Sequence, residues 1–193
     1  IGYGQGTILP LEAGFELFQK TGVSLPQETI DTLKNSCDGA IFGSVSSPSH
    51  KVEGYTSPIV RLRKELGLYA NIRPVTGPVL PGSRVQSPVD LVTVRENSEC
   101  LDIKQETQED TPQGAVARAV RQISESASKR IGSKALEVAL ARKMLREKAG
   151  TSTATKVTIC HKSNVLSVTD GLFRTSVRSV YEADQPEHGG PGR

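Results

Sequence analysis

Segments with helical periodicity alternate with short apolar runs along most of the chain, and this alternation constrains the fold more than any other feature. The longest segment, SESASKRIGSKALEVALARKMLREKAG (124–150), opens on a capping serine and ends on a glycine, which predicts a long helix. Further helices are predicted at 9–22, 24–36 and 58–67, and from Asp170 onward. Strands are predicted at 38–44, 69–75, 89–96, 100–106 and 156–162, while 115–123 fits either a strand or the start of a helix. Strands that alternate with helices favour an α/β fold.

Two stretches interrupt this alternation and indicate how the chain is organised. VSSPSHKVEGYTSP (45–58) is a long polar loop, and loops of this length are usually functional or disordered. TGPVLPGSRVQSP (76–88) is rich in proline, glycine and serine, so we expect the chain to cross between two domains here. We therefore predict one domain over residues 1–83, a second over 84–182, and a disordered tail over 183–193, where apolar residues are scarce.

Composition argues against several classes of protein. The net charge is only +3 and arginines are dispersed among acids, which does not indicate nucleic-acid binding. No apolar run approaches the ~20 residues that span a bilayer, and no secretory signal is visible. Because the sequence starts at isoleucine, we expect more chain upstream. Three widely spaced cysteines predict free thiols in a reducing compartment, and three dispersed histidines argue against a histidine metal site.

Three arginines, Arg63, Arg73 and Arg95, are the main candidates for a binding site. On the helix predicted at 58–67, Arg63 borders the apolar face, whereas Arg61 lies on the opposite, solvated side. Ligands of open α/β sheets bind beyond the carboxyl ends of strands, where Arg95 is expected. Because a guanidinium group pairs bidentately with a carboxylate, three converging arginines would suit a substrate with several carboxylates. For each arginine taken alone, a surface ion pair is the simpler interpretation.

Three further polar residues lie where elements are expected to begin or end. Ser57 directly precedes Pro58 and predicts a helix cap, although a helix N-terminus can also bind an anion. Lys162 and Asn164 follow a predicted strand and precede a predicted helix in HKSNVLSVTDGLF (161–173). A lysine beside other cations can have a lowered pKa and act as a base. The alternative is an exposed lysine in a loop.

Three long motifs carry a resemblance to a known family. SPIVRLRKELGLYANIRPV, DLVTVRENSE and HKSNVLSVTDGLFR, in this order, resemble the β-decarboxylating dehydrogenases, which include the isocitrate, isopropylmalate and homoisocitrate dehydrogenases. The resemblance extends over nearly the whole chain, as far as about Glu182. The stretch FGSVSSPSHKVEGYTSPIVRLRKELGLYANIRPV is especially similar to the fungal homoisocitrate dehydrogenases of lysine biosynthesis.

The resemblance implies an isopropylmalate dehydrogenase-like fold of two domains, only partly covered by this chain. Residues 1–83 would belong to the large, cofactor-side domain, and residues 84–182 to the small domain that binds substrate and forms the dimer. The implied reaction is oxidative decarboxylation of homoisocitrate to 2-oxoadipate, in which NAD takes the hydride and Mg²⁺ or Mn²⁺ stabilises the developing charge. The implied location is the mitochondrial matrix or the cytoplasm.

The same resemblance implies the roles of individual residues. Lys162 matches the catalytic lysine, and because that lysine reaches into the partner subunit's site, a homodimer or pairing with a full-length homologue is implied. Asn164 matches a position that contacts both the substrate and the nicotinamide. The variable end of the substrate is recognised at the position of Ser57. The matched substrate-binding positions are Ser57, Arg63, Arg73, Arg95 and Asn164.

The segment RENSECLDIK (95–104) departs from the family pattern, which is close to RENTEGLY. The tyrosine of that pattern donates a proton to the enolate, and its position here holds Asp102. Aspartate is shorter, and its reference pKa is ~3.9 against ~10 for tyrosine. A carboxylate at this position has the wrong protonation state and repels a carboxylate-rich substrate. The GDGIGPE-like turn and the metal-binding aspartates of the family do not occur in this sequence either, so no metal ligand is assigned.

Two functional hypotheses therefore remain open. The chain is either a fragment or divergent copy of the dehydrogenase, or a non-catalytic homologue that pairs with a complete subunit or binds a carboxylate ligand without turnover. A third, weaker hypothesis is a truncated chain with no stable fold, because lost strands would expose sheet edges and apolar faces. Under all three, we predict that this chain alone has no dehydrogenase activity.

Overall fold

The computed structural model describes residues 6–50, 52–79, 81, 82, 84, 87–151 and 154–184. Its mixture of helices and strands confirms the predicted class. None of the helices in these ranges is both long and apolar enough to cross a membrane. The elements are α1 (Phe15–Thr21), α2 (Gln27–Ser36), α3 (Pro58–Glu65), β1 (Ala70–Gly77), β2 (Val89–Glu96), a 3₁₀ turn (Leu101–Ile103), β3 (Glu106–Thr111), β4 (Gly114–Ala119), α4 (Glu125–Lys148) and α5 (Thr169–Asp184).

The chain divides into two units, Ile1–Leu68 and Tyr69–Arg193. This division differs from the predicted boundary at 83/84. Strand β1 lies before the predicted crossing and pairs antiparallel with β2, which lies after it, so the intervening segment joins two strands of one hairpin. The assignment of the two parts as cofactor-side and substrate domains stays a prediction. Most of the predicted disordered tail (185–193) lies outside the described residues, and residues 183 and 184 complete α5.

The first unit is organised around three buried apolar side chains, Leu25, Ile30 and Leu62. Helix α2 contributes Ile30 and α3 contributes Leu62, which confirms the apolar face predicted for α3. The prediction that Arg61 is solvated is wrong. Its guanidinium donates to the backbone carbonyl of Leu25 at 2.9 Å and to the side-chain oxygen of Gln27 at 3.2 Å. Arg61 therefore ties α3 to the start of α2.

The polar loop predicted at 45–58 packs its C-terminal part within the same unit. The ring of Tyr55 meets the rings of Phe15 and Phe18 edge-on, with centroids 5.2 and 5.3 Å apart. Such aromatic pairs are each worth about 0.5–1.5 kcal/mol beyond the area they bury. This part of the loop is thus fixed to α1.

The second unit contains two antiparallel hairpins and two packed helices. β1 pairs with β2 and β3 pairs with β4, with no strand shared between the two sheets in the described part of the chain. Helices α4 and α5 cross closely at Gly132, where an added Cβ would lie 3.2 Å from a Val177 methyl carbon. The N-terminus of α4 carries the predicted cap, because the Ser124 hydroxyl accepts the N–H of Ala127.

Several strand predictions are corrected by the structure. Residues 38–44 and 156–162 are not strands, and 100–106 contains a 3₁₀ turn followed by the first residue of β3. A strand requires a neighbouring strand that accepts and donates backbone hydrogen bonds. Among the residues that the structure describes, 38–44 and 156–162 pair with no strand. Of the segment 115–123, for which strand and helix were both open, residues 115–119 belong to strand β4 and none belongs to a helix.

Candidate functional site

Two of the predicted substrate-binding arginines, Arg73 and Arg95, lie on one face of the β1–β2 hairpin. Arg95 is directly opposite Asn71, and Arg73 follows Asn71 by two residues, so all three side chains project to the same side of the sheet. Diagonal neighbours of this kind are about 7–8 Å apart. The Nε of Arg73 donates to the side-chain oxygen of Asn71 at 3.0 Å, which directs the guanidinium along this face.

The opposite face of the hairpin is attached to helix α4. Asp90 accepts hydrogen bonds from Arg142 and, at 2.8 Å, from Arg146, and Glu96 pairs with Arg130 at 3.4 Å. The two arginine bonds lower the pKa of Asp90 below its ordinary value. Because side chains alternate along a strand, the even-numbered residues that contact α4 leave Arg95 on the opposite face of the hairpin. Arg95 is accordingly exposed, with 57 % of its side chain accessible.

The turn that follows β2 is fixed by two glutamates. Glu96 accepts the backbone N–H groups of Ser98 and Glu99, both at 2.8 Å. Burial alone would raise the pKa of Glu96, but the Ser98 hydroxyl, these two bonds and the charge of Arg130 hold that pKa below its usual value. Glu99 in turn accepts the N–H of Ser124 at 2.8 Å, at the start of α4. The conformation of this turn is thereby coupled to the long helix.

Asp102, at the position of the family's tyrosine, binds Arg95. Its carboxylate lies 2.6 Å from the Arg95 guanidinium, and the Asp102 side chain is 38 % exposed. Exposed ion pairs of this kind contribute only about 0–1 kcal/mol to stability. The pair matters more for binding, because Asp102 places a negative charge on the arginine that is expected to hold a substrate carboxylate.

The predicted catalytic lysine lies in a turn anchored by a buried aspartate. Lys162 and Asn164 are exposed, and the backbone N–H of Lys162 donates to Asp170 at 3.2 Å. Asp170 is only 3 % exposed and also accepts two hydrogen bonds from Arg121, at 2.5 and 3.3 Å. Burial opposes ionisation of this carboxyl, but the Lys162 N–H and the hydrogen bonds and charge of Arg121 lower its pKa overall.

Sequence reasoning missed the roles of Asp170 and Arg121. The sequence predicts a helix from Asp170 onward, but Asp170 lies within α5, and its side chain binds Arg121 and the Lys162 N–H. Its position directly before a glycine and an apolar helical face was the available signal. Nothing distinguishes Arg121 in the sequence, where it is one of 24 basic residues. Its importance becomes visible only through its contacts.

The two remaining site predictions, Ser57 and Arg63, belong to the first unit. Ser57 occupies the N-cap position of α3, and its carbonyl accepts the N–H groups of Val60 and Arg61 at 3.2 Å. Its side chain makes no capping hydrogen bond, so the predicted side-chain cap is wrong. Arg63 is half-buried beside the apolar face of α3, as expected. The convergence of Arg63 with Arg73 and Arg95 stays a prediction.

A divalent metal does not fit any cluster in the ranges that the structure describes. There, no group of three or more histidine, cysteine, aspartate or glutamate side chains could hold a metal ion. We therefore assign no ligand and derive no metal-dependent step.

The second unit thus presents two arginines on one face of a hairpin and a lysine turn anchored by a buried aspartate. The family model described as isocitrate/isopropylmalate dehydrogenase matches residues 7–188, and the chain belongs to this family. The isopropylmalate dehydrogenase-like fold predicted from the sequence is thus confirmed.

Individual relatives agree with this membership. The chain is 43% identical over 183 residues to the isocitrate/homoisocitrate dehydrogenase of Thermus thermophilus, covering 91% of this chain and 49% of the relative. It is 39% identical over 177 residues to the 3-isopropylmalate dehydrogenase of Archaeoglobus fulgidus, covering 91% and 47%. The solved β-decarboxylating dehydrogenase of Thermococcus kodakarensis matches with a TM-score of 0.63 and 35% identity, covering 90% and 45%. The chain spans about half the length of the curated relatives it matches.

Proposed function

We propose that the protein to which this chain belongs catalyses NAD-dependent oxidative decarboxylation of homoisocitrate to 2-oxoadipate in lysine biosynthesis. The observation that carries the proposal is the pair Arg73 and Arg95 on the face of the β1–β2 hairpin that is turned away from α4. Two fixed positive charges at this spacing suit a substrate with several carboxylates. Homodimerisation, and a location in the mitochondrial matrix or cytoplasm, belong to the same proposal.

Each residue has a defined task in this proposal. Arg73 and Arg95 hold carboxylates of the substrate, and Arg63 contacts a further carboxylate. Ser57 contacts the variable end of the substrate. NAD, when bound, would accept the hydride, and Asn164 would contact its nicotinamide as well as the substrate. Lys162 accepts the proton of the substrate hydroxyl, because a lysine amine that has lost its own proton can serve as a general base. Asp102 replaces the proton donor of the family pattern, so protonation of the enolate is the step that this chain supports least.

The ion pair between Asp102 and Arg95 favours a second candidate function. A chain whose substrate arginine is paired with its own carboxylate would bind ligand weakly and would not turn it over. Such a chain acts as a non-catalytic subunit beside a full-length homologue. Both candidates predict that the 193-residue polypeptide alone produces no NADH from homoisocitrate with Mg²⁺ and NAD. NADH formation by the polypeptide alone would refute this prediction.

Equilibrium titration tests the carboxylate site with homoisocitrate, isocitrate and 3-isopropylmalate as ligands. Arg73→Gln and Arg95→Gln should each weaken binding about tenfold or more, since a hydrogen bond to a charged group is worth ~1.5–3 kcal/mol. Arg118→Gln is the matched control, because Arg118 is an exposed arginine that pairs with Glu109 on the β3–β4 hairpin. Tighter binding of homoisocitrate than of the other two ligands supports the proposed substrate. Equal affinities in all three variants and the wild type would exclude this arginine face as the site.

A mixing experiment separates the two candidate functions. A non-catalytic subunit should alter the substrate affinity of a full-length homologue when the two are mixed. The readout is the KM for homoisocitrate with and without this chain, and an unchanged KM counts against the subunit role.

A further inference from the structure

We propose that Arg130 on α4 and Glu96 at the end of β2 are positioning residues, which fix the direction in which the neighbouring Arg95 meets a bound carboxylate. This role rests on the proposed function, in which Arg95 holds a carboxylate of the substrate. Neither Arg130 nor Glu96 needs to touch the ligand. Both would act through the backbone of the segment that carries Arg95.

The side chain of Glu96 is held firmly, directly after Arg95 in the chain. It is 15 % exposed, against 57 % for the side chain of Arg95. One carboxylate oxygen accepts the backbone N–H groups of Ser98 and Glu99, both at 2.8 Å, and the other accepts the Ser98 hydroxyl at 2.5 Å. Because consecutive side chains of a strand point to opposite faces, a fixed Glu96 side chain also fixes the direction in which Arg95 leaves the backbone.

Arg130 binds the end of the β1–β2 hairpin at which β1 begins and β2 finishes. Its guanidinium donates to Glu96 at 3.4 Å and to the Ser98 hydroxyl at 3.1 Å. The same group lies over the ring of Tyr69, 4.1 Å from the ring centre. Tyr69 directly precedes β1, and its carbonyl accepts the N–H of Asn97 at 2.8 Å. One side chain of α4 therefore contacts both chain segments at this end of the hairpin.

Helix α4 holds the segment after Arg95 at a second point. Glu99 accepts the backbone N–H of Ser124 at 2.8 Å and the Ser124 hydroxyl at 2.5 Å. Ser124 is the N-cap of α4, and Arg130 lies in the second turn of the same helix. Both contacts thus come from the start of α4, so the turn that follows β2 is fixed to one rigid element.

The other end of β2 offers a matched control. Asp90 also accepts hydrogen bonds from α4, through Arg142 and Arg146, so one contact remains when Arg142 alone is replaced. Asp90 lies five positions before Arg95, about 17 Å along an extended strand. Arg142→Gln therefore removes the same kind of contact between the same helix and strand, at a distance from the segment that carries Arg95.

The opposite charges of Arg130 and Glu96 allow charge and position to be separated. If the pair acted on an anionic ligand only through its charge, Arg130→Gln would weaken binding and Glu96→Gln would tighten it. A positioning role predicts weaker binding in both variants. Arg130→Lys keeps the positive charge, but an ammonium group lacks the planar fork that binds Glu96 and Ser98 while covering the ring of Tyr69.

The experiment measures the affinity of the 193-residue chain for homoisocitrate by titration calorimetry, and hydrogen exchange at the Ser98 and Glu99 amides. Arg130→Gln and Glu96→Gln should each weaken binding about fivefold or more, and the double variant should bind no more weakly than the weaker single variant. Arg130→Lys should still bind at least about threefold more weakly than the wild type. Exchange at the two amides should quicken in the Arg130 and Glu96 variants, whereas Arg142→Gln should match the wild type in both measurements.

Three results would overturn the proposal. One is tighter binding by Glu96→Gln together with weaker binding by Arg130→Gln, which marks an effect of charge alone. Another is wild-type affinity in Arg130→Gln. The third is an equal loss of affinity in Arg142→Gln, which marks a general need for attachment of the hairpin to α4. If the wild type binds no homoisocitrate, the proposed carboxylate site fails, whereas exchange at Ser98 and Glu99 still decides whether the pair fixes the segment that carries Arg95.

Discussion

At the scale of single residues, the segment 95–104 shows how a family pattern can be kept while its chemistry changes. Arg95 retains the expected place on β2, whereas Cys100 and Asp102 replace the glycine and tyrosine of the pattern RENTEGLY. Cys100 has φ 65° and ψ −133°, a conformation that glycine adopts far more readily than other residues. The cysteine therefore sits in a backbone shape suited to the glycine it replaces.

Substituting Cys100→Gly should stabilise the chain. The backbone strain at Cys100 is of order 1–3 kcal/mol, and glycine would relieve it. Because the variant also loses the contact between the thiol and Arg121, we expect the free energy of unfolding to rise by only about 1 kcal/mol. Chemical denaturation measures the change. Cys100→Ala is the matched control, because it removes the thiol and keeps the Cβ. Equal stabilities for the glycine and alanine variants would show that the backbone at this position is not strained.

Substituting Asp102→Asn should tighten the binding of homoisocitrate. The change removes a negative charge beside Arg95 and frees a guanidinium donor, so affinity should rise about three- to tenfold. Stability should hardly change, since the pair is exposed. Titration calorimetry measures the affinity, with Glu109→Gln as the control for removing an acid at a distant exposed pair. Unchanged or weaker binding would mean that Asp102 does not compete with the ligand.

At the scale of elements, the second unit depends on the close crossing of α4 and α5 and on the buried carboxyl of Asp170. The sequence predicted both helices, because a capping serine and an apolar face are local signals. It placed strands wrongly at 38–44 and 156–162, because pairing depends on a partner strand that the local pattern does not specify. Arg73 and Arg95 were each expected on a strand, but their shared face follows from the register of β1 against β2, which the local pattern does not specify. The connection of Arg121 to Asp170 spans 49 positions and leaves no local signature.

Two glycines in these helices should respond differently to alanine. Gly171 in α5 has open space where an added Cβ would lie, so Gly171→Ala should raise the free energy of unfolding by about 0.5–1 kcal/mol. An added Cβ at Gly132 in α4 would lie 3.4 Å from the Val177 backbone, and crowding should cancel this gain or reverse it. Thermal denaturation of both variants checks the difference. A larger gain at Gly132 than at Gly171 would contradict the close crossing.

The pH dependence of stability should report on Asp170. The pKa of Asp170 is lower in the folded chain than in the unfolded chain. The carboxylate therefore contributes fully to the free energy of unfolding above the ordinary aspartate pKa, ~3.9, and this contribution is lost as the pH falls through the pKa of the folded state. The difference in stability between the wild type and Asp170→Asn should therefore shrink as the pH decreases from about 5 to about 3. Melting temperatures across this range measure the effect. A constant difference between the two proteins would show that the carboxylate is not stabilised by folding.

At the scale of the whole molecule, the chain is a member of the isocitrate/isopropylmalate dehydrogenase family that spans about half the length of the relatives it matches. Its second unit carries Arg73, Arg95, Lys162 and Asn164, and its first unit carries Ser57 and Arg63. We propose above all that the face of the β1–β2 hairpin that carries Arg73 and Arg95 binds the carboxylates of a substrate of this family. Family membership was predictable from three motifs, whereas the Asp102–Arg95 pair is visible only in three dimensions.

The proposal that this face binds carboxylates can be tested without any assumption about turnover. The test is titration of homoisocitrate into the wild-type chain and into the double variant Arg73→Gln/Arg95→Gln. We expect saturable binding to the wild type and an affinity about a hundredfold lower in the double variant. This loss corresponds to the summed free energies of two hydrogen bonds to charged groups. Circular dichroism of both proteins verifies that the fold is retained. Binding of equal affinity to the wild type and the double variant would show that this face does not hold the substrate.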